Sequence, residues 1–276
     1  MEKYINKYLN ILKAEKKSKA TLRTTRIEIA RFIREVGIDA DTDLIAEYYE
    51  ELSPQTINKK NVILRGFFGF LKNEGVIEEN VFERIKSPRR RVRIPQYLET
   101  DEYLKVKNAI RSLPDDFPNA LISGIFGVLY AGLRFAEILS LTINDVDLNF
   151  RQLKVTGKRD KQRMVEIGQF TTDMLTKWFK YRNCHRKELF IHHYGKPLKA
   201  KALRNLITKT TVEILGRKVT AHCFRHSYCT HLVRESGRID IVKELAGHER
   251  IETTLIYTHL LSEDRRKIIN TSQTLS

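Results

Sequence analysis

Four side chains between His222 and Tyr257 are of the types that act on a phosphodiester: His222, Arg225, His248 and Tyr257. His222 and Arg225 are three residues apart, so they share one face of a helix. Leu232 and Val233 continue that helix, and Gly237 ends it with a residue tolerant of positive φ. Ile241, Val242 and Leu245 make a second short apolar stripe that Gly247 stops, with His248 directly after it. Thr253 and Thr254 open a last short element carrying Tyr257. Arginine and histidine donate hydrogen bonds to phosphate oxygens, and arginine can do so as a bidentate fork. A tyrosine beside them can attack the phosphorus as a nucleophile.

Two plainer readings compete. A histidine taken singly is more often a satisfied core residue than a reactive one. A metal is the other competitor, because His222 and His226 are an i, i+4 pair with Cys223, Cys229 and His231 nearby. A zinc protease helix needs Glu after its first histidine as general base. Cys223 stands there instead, and the chain holds no CxxC pair. No metal is therefore expected.

The elements that must position these groups fill 276 residues, enough for about two domains of roughly 150 residues each. Fifty Lys and Arg face 34 Asp and Glu, a formal charge of +16 that points to a polyanionic partner, nucleic acid first. Three cysteines, Cys184, Cys223 and Cys229, are an odd number without framework spacing, which fits a reducing, cytoplasmic compartment. No apolar leader is visible at the N-terminus. The most apolar run, Ala120 to Leu133, is too short to span a bilayer, so no membrane role is expected.

Along residues 1–87, apolar periodicity predicts helices over 2–14, 19–36, about 42–52, and from Ser53-Pro54 to Gly75. Ser53 is the expected cap and Pro54 the first helical residue. Four helices in some eighty residues make a small bundle. Its polar faces carry Arg23, Arg26, Arg31, Arg34, Lys59 and Lys60, of which Lys59 and Lys60 are candidate DNA contacts; a solvated face is the plainer reading. Residues 88–95 place Arg89, Arg90, Arg91 and Arg93 between two prolines, which predicts an extended basic linker; a solvated linker is the plainer reading, and one lying against phosphates is favoured.

Beyond the linker, Thr100-Asp101-Glu102 opens a helix with Thr100 as its cap, and a buried helix follows from about Ala120 to Ala131. Gly132 breaks it, and Arg134 sits at the mouth of the next helix, well placed for an anion. The alternative is a surface Arg134–Glu137 pair of little energetic weight. Strands are predicted over 152–156 and 163–167, joined by a turn with Lys158 at its tip. Helices near 170–182 and 199–215 read as scaffold, and His192-His193 as a loop pair without a chemical role.

These motifs together resemble the tyrosine recombinase (phage integrase) family. Its C-terminal signature is His-x-x-Arg, then Leu-x-Gly-His, here Leu245-Ala246-Gly247-His248, then a tyrosine nine residues on in a Tyr-Thr-His context. The segment Ala131-Gly132-Leu133-Arg134-x-x-Glu137 resembles the family's first arginine motif, and Gly157-Lys158 matches its lysine hairpin. The family often has a second glycine after that lysine; Arg159 stands there, which leaves Lys161 as a rival for the role. The resemblance covers residues 97–276 by motif and 1–87 by position alone.

The resemblance implies a mainly α protein. A four-helix, SAM-like core-binding domain (1–87) would be joined by the basic linker (88–95) to a mostly α catalytic domain with a small antiparallel sheet (96–276). It implies site-specific recombination of double-stranded DNA through a 3′-phosphotyrosyl intermediate, without ATP or another cofactor, by a homo-oligomer that forms a tetramer on paired sites. Arg134, Lys158, His222, Arg225, His248 and Tyr257 would be catalytic, and Glu137 would hold the arginine arrangement. Small size and the lack of an arm-binding domain favour a Xer-like dimer resolvase; an integrase of a virus or mobile element is the alternative. A type IB topoisomerase would share the chemistry, and a non-catalytic DNA-binding relic would have lost some of these six residues. The tail after Tyr257, with Ile268 and Ile269, is expected to pack on a neighbouring protomer.

Overall fold

The computed structural model describes residues 1–88, 96–157 and 161–247. The chain divides into two compact units, Met1–Arg93 and Ile94–Ser276. Each is a fold in its own right.

Among its described residues the first unit is helical: α1 Glu2–Ala14, α2 Lys19–Glu35, α3 Thr42–Tyr49 and α4 Pro54–Asn73, followed by a 3-10 turn at Val81–Glu83. The local chemistry sets these bounds. Ser18 accepts a hydrogen bond from Thr21 N, Asp41 from Asp43 N and Leu44 N, and Ser53 from Thr56 N. Each cap satisfies a donor that the first helical turn leaves open. The apolar stripes of the four helices meet in one core around Ile5, Ile29, Phe32, Ile45, Leu64, Phe67, Phe68 and Leu71. Phe82, from the 3-10 turn, closes it edge-on against Phe68 with ring centroids 4.9 Å apart.

The second unit is built on a central apolar helix. In order it contains α5 Thr100–Arg111, α6 Phe117–Tyr130, α7 Phe135–Ser140, β1 Val146–Asp147, β2 Gln152–Thr156, β3 Gln162–Glu166, α8 Gln169–Tyr181, α9 Ala200–Leu215, α10 Ala221–Ser236 and α11 Ile239–Ala246. Residues 123–130 of α6 are all buried. Two of its glycines let α8 come close: a Cβ on Gly124 would stand 2.9 Å from Trp178 Cβ, and one on Gly127 3.0 Å from Met174 Cβ. Thr171 Oγ1 donates to Gly127 O at 2.9 Å across the same seam. Phe224 of α10 packs edge-on against Phe126 from another side, centroids 5.5 Å apart.

The three strands form one antiparallel sheet in the order β1-β2-β3. The expected hairpin is present in the register Leu153↔Val165 and Val155↔Arg163; the two-residue β1 was not anticipated. Several boundaries differ by a few residues, as where α3 ends at Tyr49 and β3 begins at Gln162. Helix α5 is capped by Glu99, one residue before Thr100, and the Glu102 carboxylate accepts Glu99 N at 3.3 Å. The reciprocal box wins because it satisfies donors at both ends of the first turn.

Lys60 overturns its expected role as a DNA contact. It is buried in α4, with Nζ 2.6 Å from Glu28 Oε2 and 2.7 Å from the Tyr48 hydroxyl. An ammonium held this way is not offered to a phosphate. Lys59, its neighbour in α4, is exposed.

Candidate active site

Two segments distant in sequence converge on one carboxylate, and a third joins them through backbone carbonyls. The chain leaves α6 through Gly132, whose φ of +71° is left-handed. Its missing side chain is also sterically required, since a Cβ there would lie 2.3 Å from Tyr228 Cδ1. The turn delivers Arg134 to the N-cap position of α7. Glu137 then reaches back: its Oε2 accepts Arg134 N at 2.8 Å, and its Oε1 accepts Arg134 Nη1 at 2.7 Å. Glu137 is only 3% exposed, so this is not the surface pair that the sequence allowed.

A second guanidinium holds the same carboxylate. Arg163 of β3 donates Nη1 to Oε1 at 2.8 Å and Nη2 to Oε2 at 3.1 Å. Burial alone would raise the Glu137 pKa, but hydrogen bonds from Arg163 and Arg134 outweigh it and hold the carboxyl below its usual range. The carboxylate is thus ionised and fully engaged.

Arg225, on α10, is buried and pairs with backbone instead. It donates Nη1 to Gly132 O at 2.7 Å and Nη2 to Ala246 O at 2.5 Å. Arg134 Nη2 donates to the next carbonyl, Gly247 O, at 2.6 Å. Two arginines therefore satisfy the open carbonyl end of α11, where the helix dipole favours cations. Gly247 adopts φ +64°, which favours glycine, and a Cβ on it would stand 2.7 Å from Arg163 Nε, so the guanidinium would have to shift. Burial first, then repulsion from Arg134, pushes the Arg225 pKa down. Its carbonyl partners donate no charge to offset it, and each guanidinium retains further N–H donors for an anion.

His222 stands one turn before Arg225 at the start of α10, where Thr220 accepts Cys223 N as the cap. Its ring lies 4.2 Å from that of His226, edge to face. One side is open to solvent; burial of the other, then the charges of Arg225 and Arg134, push its pKa below the ordinary imidazole value. The imidazole is accordingly neutral near pH 7, able to accept a proton. Beside it opens a pocket of about 260 Å³, walled in part by Phe135, Arg204 and Thr208. Arg204 lies over the Phe135 ring, 4.7 Å from its centroid. The arrangement suits an anion with developing charge, since three guanidiniums face one carboxylate in a partly dry setting.

The structure therefore brings Arg134, Glu137, His222 and Arg225 together. Lys158, His248, Tyr257 and the linker residues Arg89, Arg90, Arg91 and Arg93 lie outside the described residues, as does the tail with Ile268 and Ile269. Gly157, next to Lys158, is near the cluster: a Cβ on it would be 3.9 Å from both Glu137 Oε1 and Arg163 Nη1. Lys161, the rival lysine, is exposed, and its carbonyl accepts Gly157 N at 2.8 Å. Tyr228, the other tyrosine in the stretch, packs on Gly132 and its pKa is raised by burial. Among the described residues no group of His, Cys, Asp and Glu could hold a metal ion.

Arg163 was missed by sequence reasoning. The signal was available: Leu153, Val155 and Val165 alternate inward, so Arg163, two before Val165, also points inward. A charged residue at an inward strand position calls for a buried partner.

Comparison with known proteins agrees with this picture. Residues 96–264 match the phage integrase family. The tyrosine recombinase XerC of Bacillus subtilis (strain 168) is 34% identical over 258 residues, covering 86% of this chain and 83% of the relative. Among solved structures, the XerA recombinase aligns with a TM-score of 0.56 at 23% identity, over 98% of each chain. A lambda integrase dimer bound to a core site aligns with a TM-score of 0.74 at 18% identity, over 93% of this chain and 76% of that one. These structures share the fold. Among the described residues no helix is long and apolar enough to cross a membrane. The chain belongs to the phage integrase family of tyrosine recombinases, and its relatives place it among the Xer-like members.

Proposed function

We propose that this chain is a site-specific recombinase of double-stranded DNA that cuts and rejoins strands through a 3′-phosphotyrosyl intermediate. The observation carrying this reading is the cluster itself. Arg134, from the start of α7, and Arg225, from α10, both grip the carbonyl end of α11, at Gly247 and Ala246, just before His248. In the reaction, Tyr257 Oη attacks the scissile phosphorus and the bond to the 5′-oxygen breaks. Arg134 and Arg225 stabilise the charge on the nonbridging oxygens, with hydrogen bonds from His222 and His248. The neutral His222 takes the tyrosine proton, and Lys158 gives one to the leaving 5′-oxygen. A 5′-hydroxyl of the partner strand then reverses the step, so no ATP or other cofactor is needed. Glu137 keeps Arg134 in place.

The XerC relatives support resolution of chromosome or plasmid dimers, in the cytoplasm, as the biological setting. The domain reading that goes with it assigns DNA binding to residues 1–87 as well, with phosphate contacts from Lys59 and from Arg89, Arg90, Arg91 and Arg93 of the 88–95 linker. Residues 96–276 carry the chemistry, and four protomers on paired sites perform exchange, joined through the tail.

The test begins with covalent capture. The wild-type chain is mixed with sheared chromosomal DNA from its source cell, denaturant-resistant adducts are sequenced, and the recovered site is synthesised as a nicked duplex. Tyr257→Phe is expected to bind that duplex nearly as well as wild type and to form no adduct. An adduct with Tyr257→Phe would overturn the nucleophile assignment.

A further inference from the structure

Arg163 has no role in the chemistry described so far, yet it holds Glu137 with two hydrogen bonds and lies against Gly247. We propose that Arg163 is a positioning residue that anchors the lysine hairpin to the arginine cluster, and so sets the protonation of the leaving 5′-oxygen; this rests on the recombinase reading above.

The argument starts from the sheet. On the inward face of the hairpin, Leu153 and Val165 pair with each other deep in the core. One pair nearer the turn, Val155 faces Arg163, so the apolar face gives way to a cation where the hairpin leaves the core. That end of the hairpin is held to the body by the two hydrogen bonds from Arg163 to Glu137. A bidentate pair fixes orientation as well as distance. Glu137 is in turn fixed by the Arg134 backbone and side chain. Gly157, where β2 passes into the turn, lies against the same pair. Hydrogen bonding between Gly157 N and Lys161 O closes the neck of the turn above it. Lys158 is the next residue in the chain, so the Arg163–Glu137 clasp holds the end of the strand from which Lys158 follows. On its other side the Arg163 guanidinium lies against Gly247, just before His248.

The same logic separates this role from a general structural one. If Arg163 acts by placing Lys158, its loss harms the one step Lys158 performs. A 5′-thiolate leaves without a proton, so a duplex with sulfur in the 5′-bridging position bypasses that step. The comparison uses the nicked duplex recovered by covalent capture, with oxygen or sulfur at that atom. Arg163→Met keeps bulk and removes the clasp. It is expected to cleave the oxygen substrate about 10–100-fold slower than wild type, a share of the roughly 10²–10⁴-fold that a positioned acid contributes. On the sulfur substrate it recovers towards the wild-type rate, in step with Lys158→Ala, whereas Arg134→Ala does not.

Arg163→Lys carries the same comparison if Arg163→Met fails to fold. It still neutralises Glu137 but cannot form the fork, so the same pattern is expected with a smaller defect. Equal slowing of the Arg163 variants on both substrates would overturn the proposal, as would a wild-type rate on oxygen or a Lys158→Ala defect that sulfur leaves in place. Failure of the wild-type chain to form any adduct would instead overturn the recombinase reading.

Discussion

Each unit of this protein buries a cation, and they do it in opposite ways. In the first, Lys60 finds a carboxylate from Glu28, a hydroxyl from Tyr48 and the Tyr48 ring, 4.7 Å away. The charge is answered within the unit and nothing is left over. In the second, Arg225 is equally buried but among the described residues meets only carbonyl oxygens, and the carboxylate described nearby is shared by Arg134 and Arg163. Taking a charge out of water is expensive unless it is paired. Among the described residues the cluster carries more positive than negative charge, and partial charges at a helix end help to hold it. Closed compensation marks scaffold, and incomplete compensation marks a place where a ligand finishes the structure.

The sharpest way to break the contrast is Arg225→Gln. Strand cleavage on the captured duplex is expected to fall by about 10²–10³-fold, the loss typical when one donor to a developing oxyanion is removed. Stability should change far less, because the unpaired Gly132 and Ala246 carbonyls are offset by relief of a buried, uncompensated charge. A melt that collapses while cleavage per folded molecule holds would put Arg225 with the scaffold.

The mirror experiment is Lys60→Met. Stranding the Glu28 carboxylate is expected to lower stability by about 3 kcal/mol, the low end for breaking a buried pair because Glu28 keeps some contact with water. Denaturant titration reads it, and the double variant with Glu28→Gln should recover much of the loss. Intact stability in the single variant would show that this cation too is uncompensated.

The smallest effect concerns His222. A folded-state pKa below the ordinary value of about 6.5 means the neutral ring persists to lower pH than in a free imidazole. The stability this contributes is full above the ordinary pKa and is lost as pH falls through the lowered one. Cleavage, which needs the neutral base, should decline over the same acid range, and His222→Gln should flatten that limb of the profile. An acid limb centred above the ordinary imidazole value would contradict the lowered pKa.

Much of this was legible in the sequence because the signals are local. Apolar periodicity found the helices, and serine caps and glycine stops set most of their ends within a few residues. Lys60 was misplaced because its partner Glu28 lies 32 residues away, where no window joins them. Arg163 was passed over for the same reason, although strand alternation had already turned it inward. The Glu99 cap was missed because glutamate is a poor cap until its reciprocal partner at Glu102 is considered. The family resemblance grouped Arg134, His222 and Arg225, but could not show that Arg134 and Arg225 lean on the carbonyls of α11.

Gly132 has a consequence best put in genetic terms. Two independent demands fall on this one residue, a left-handed backbone and the press of the Tyr228 ring. A lesion there has no simple suppressor: trimming Tyr228 would make room for a side chain but would leave the backbone strain, and no neighbour can relieve both. The two arginines that the turn separates and aligns are thereby tied to a residue that evolution can scarcely revise, so variation in this enzyme has to be sought in what surrounds the turn.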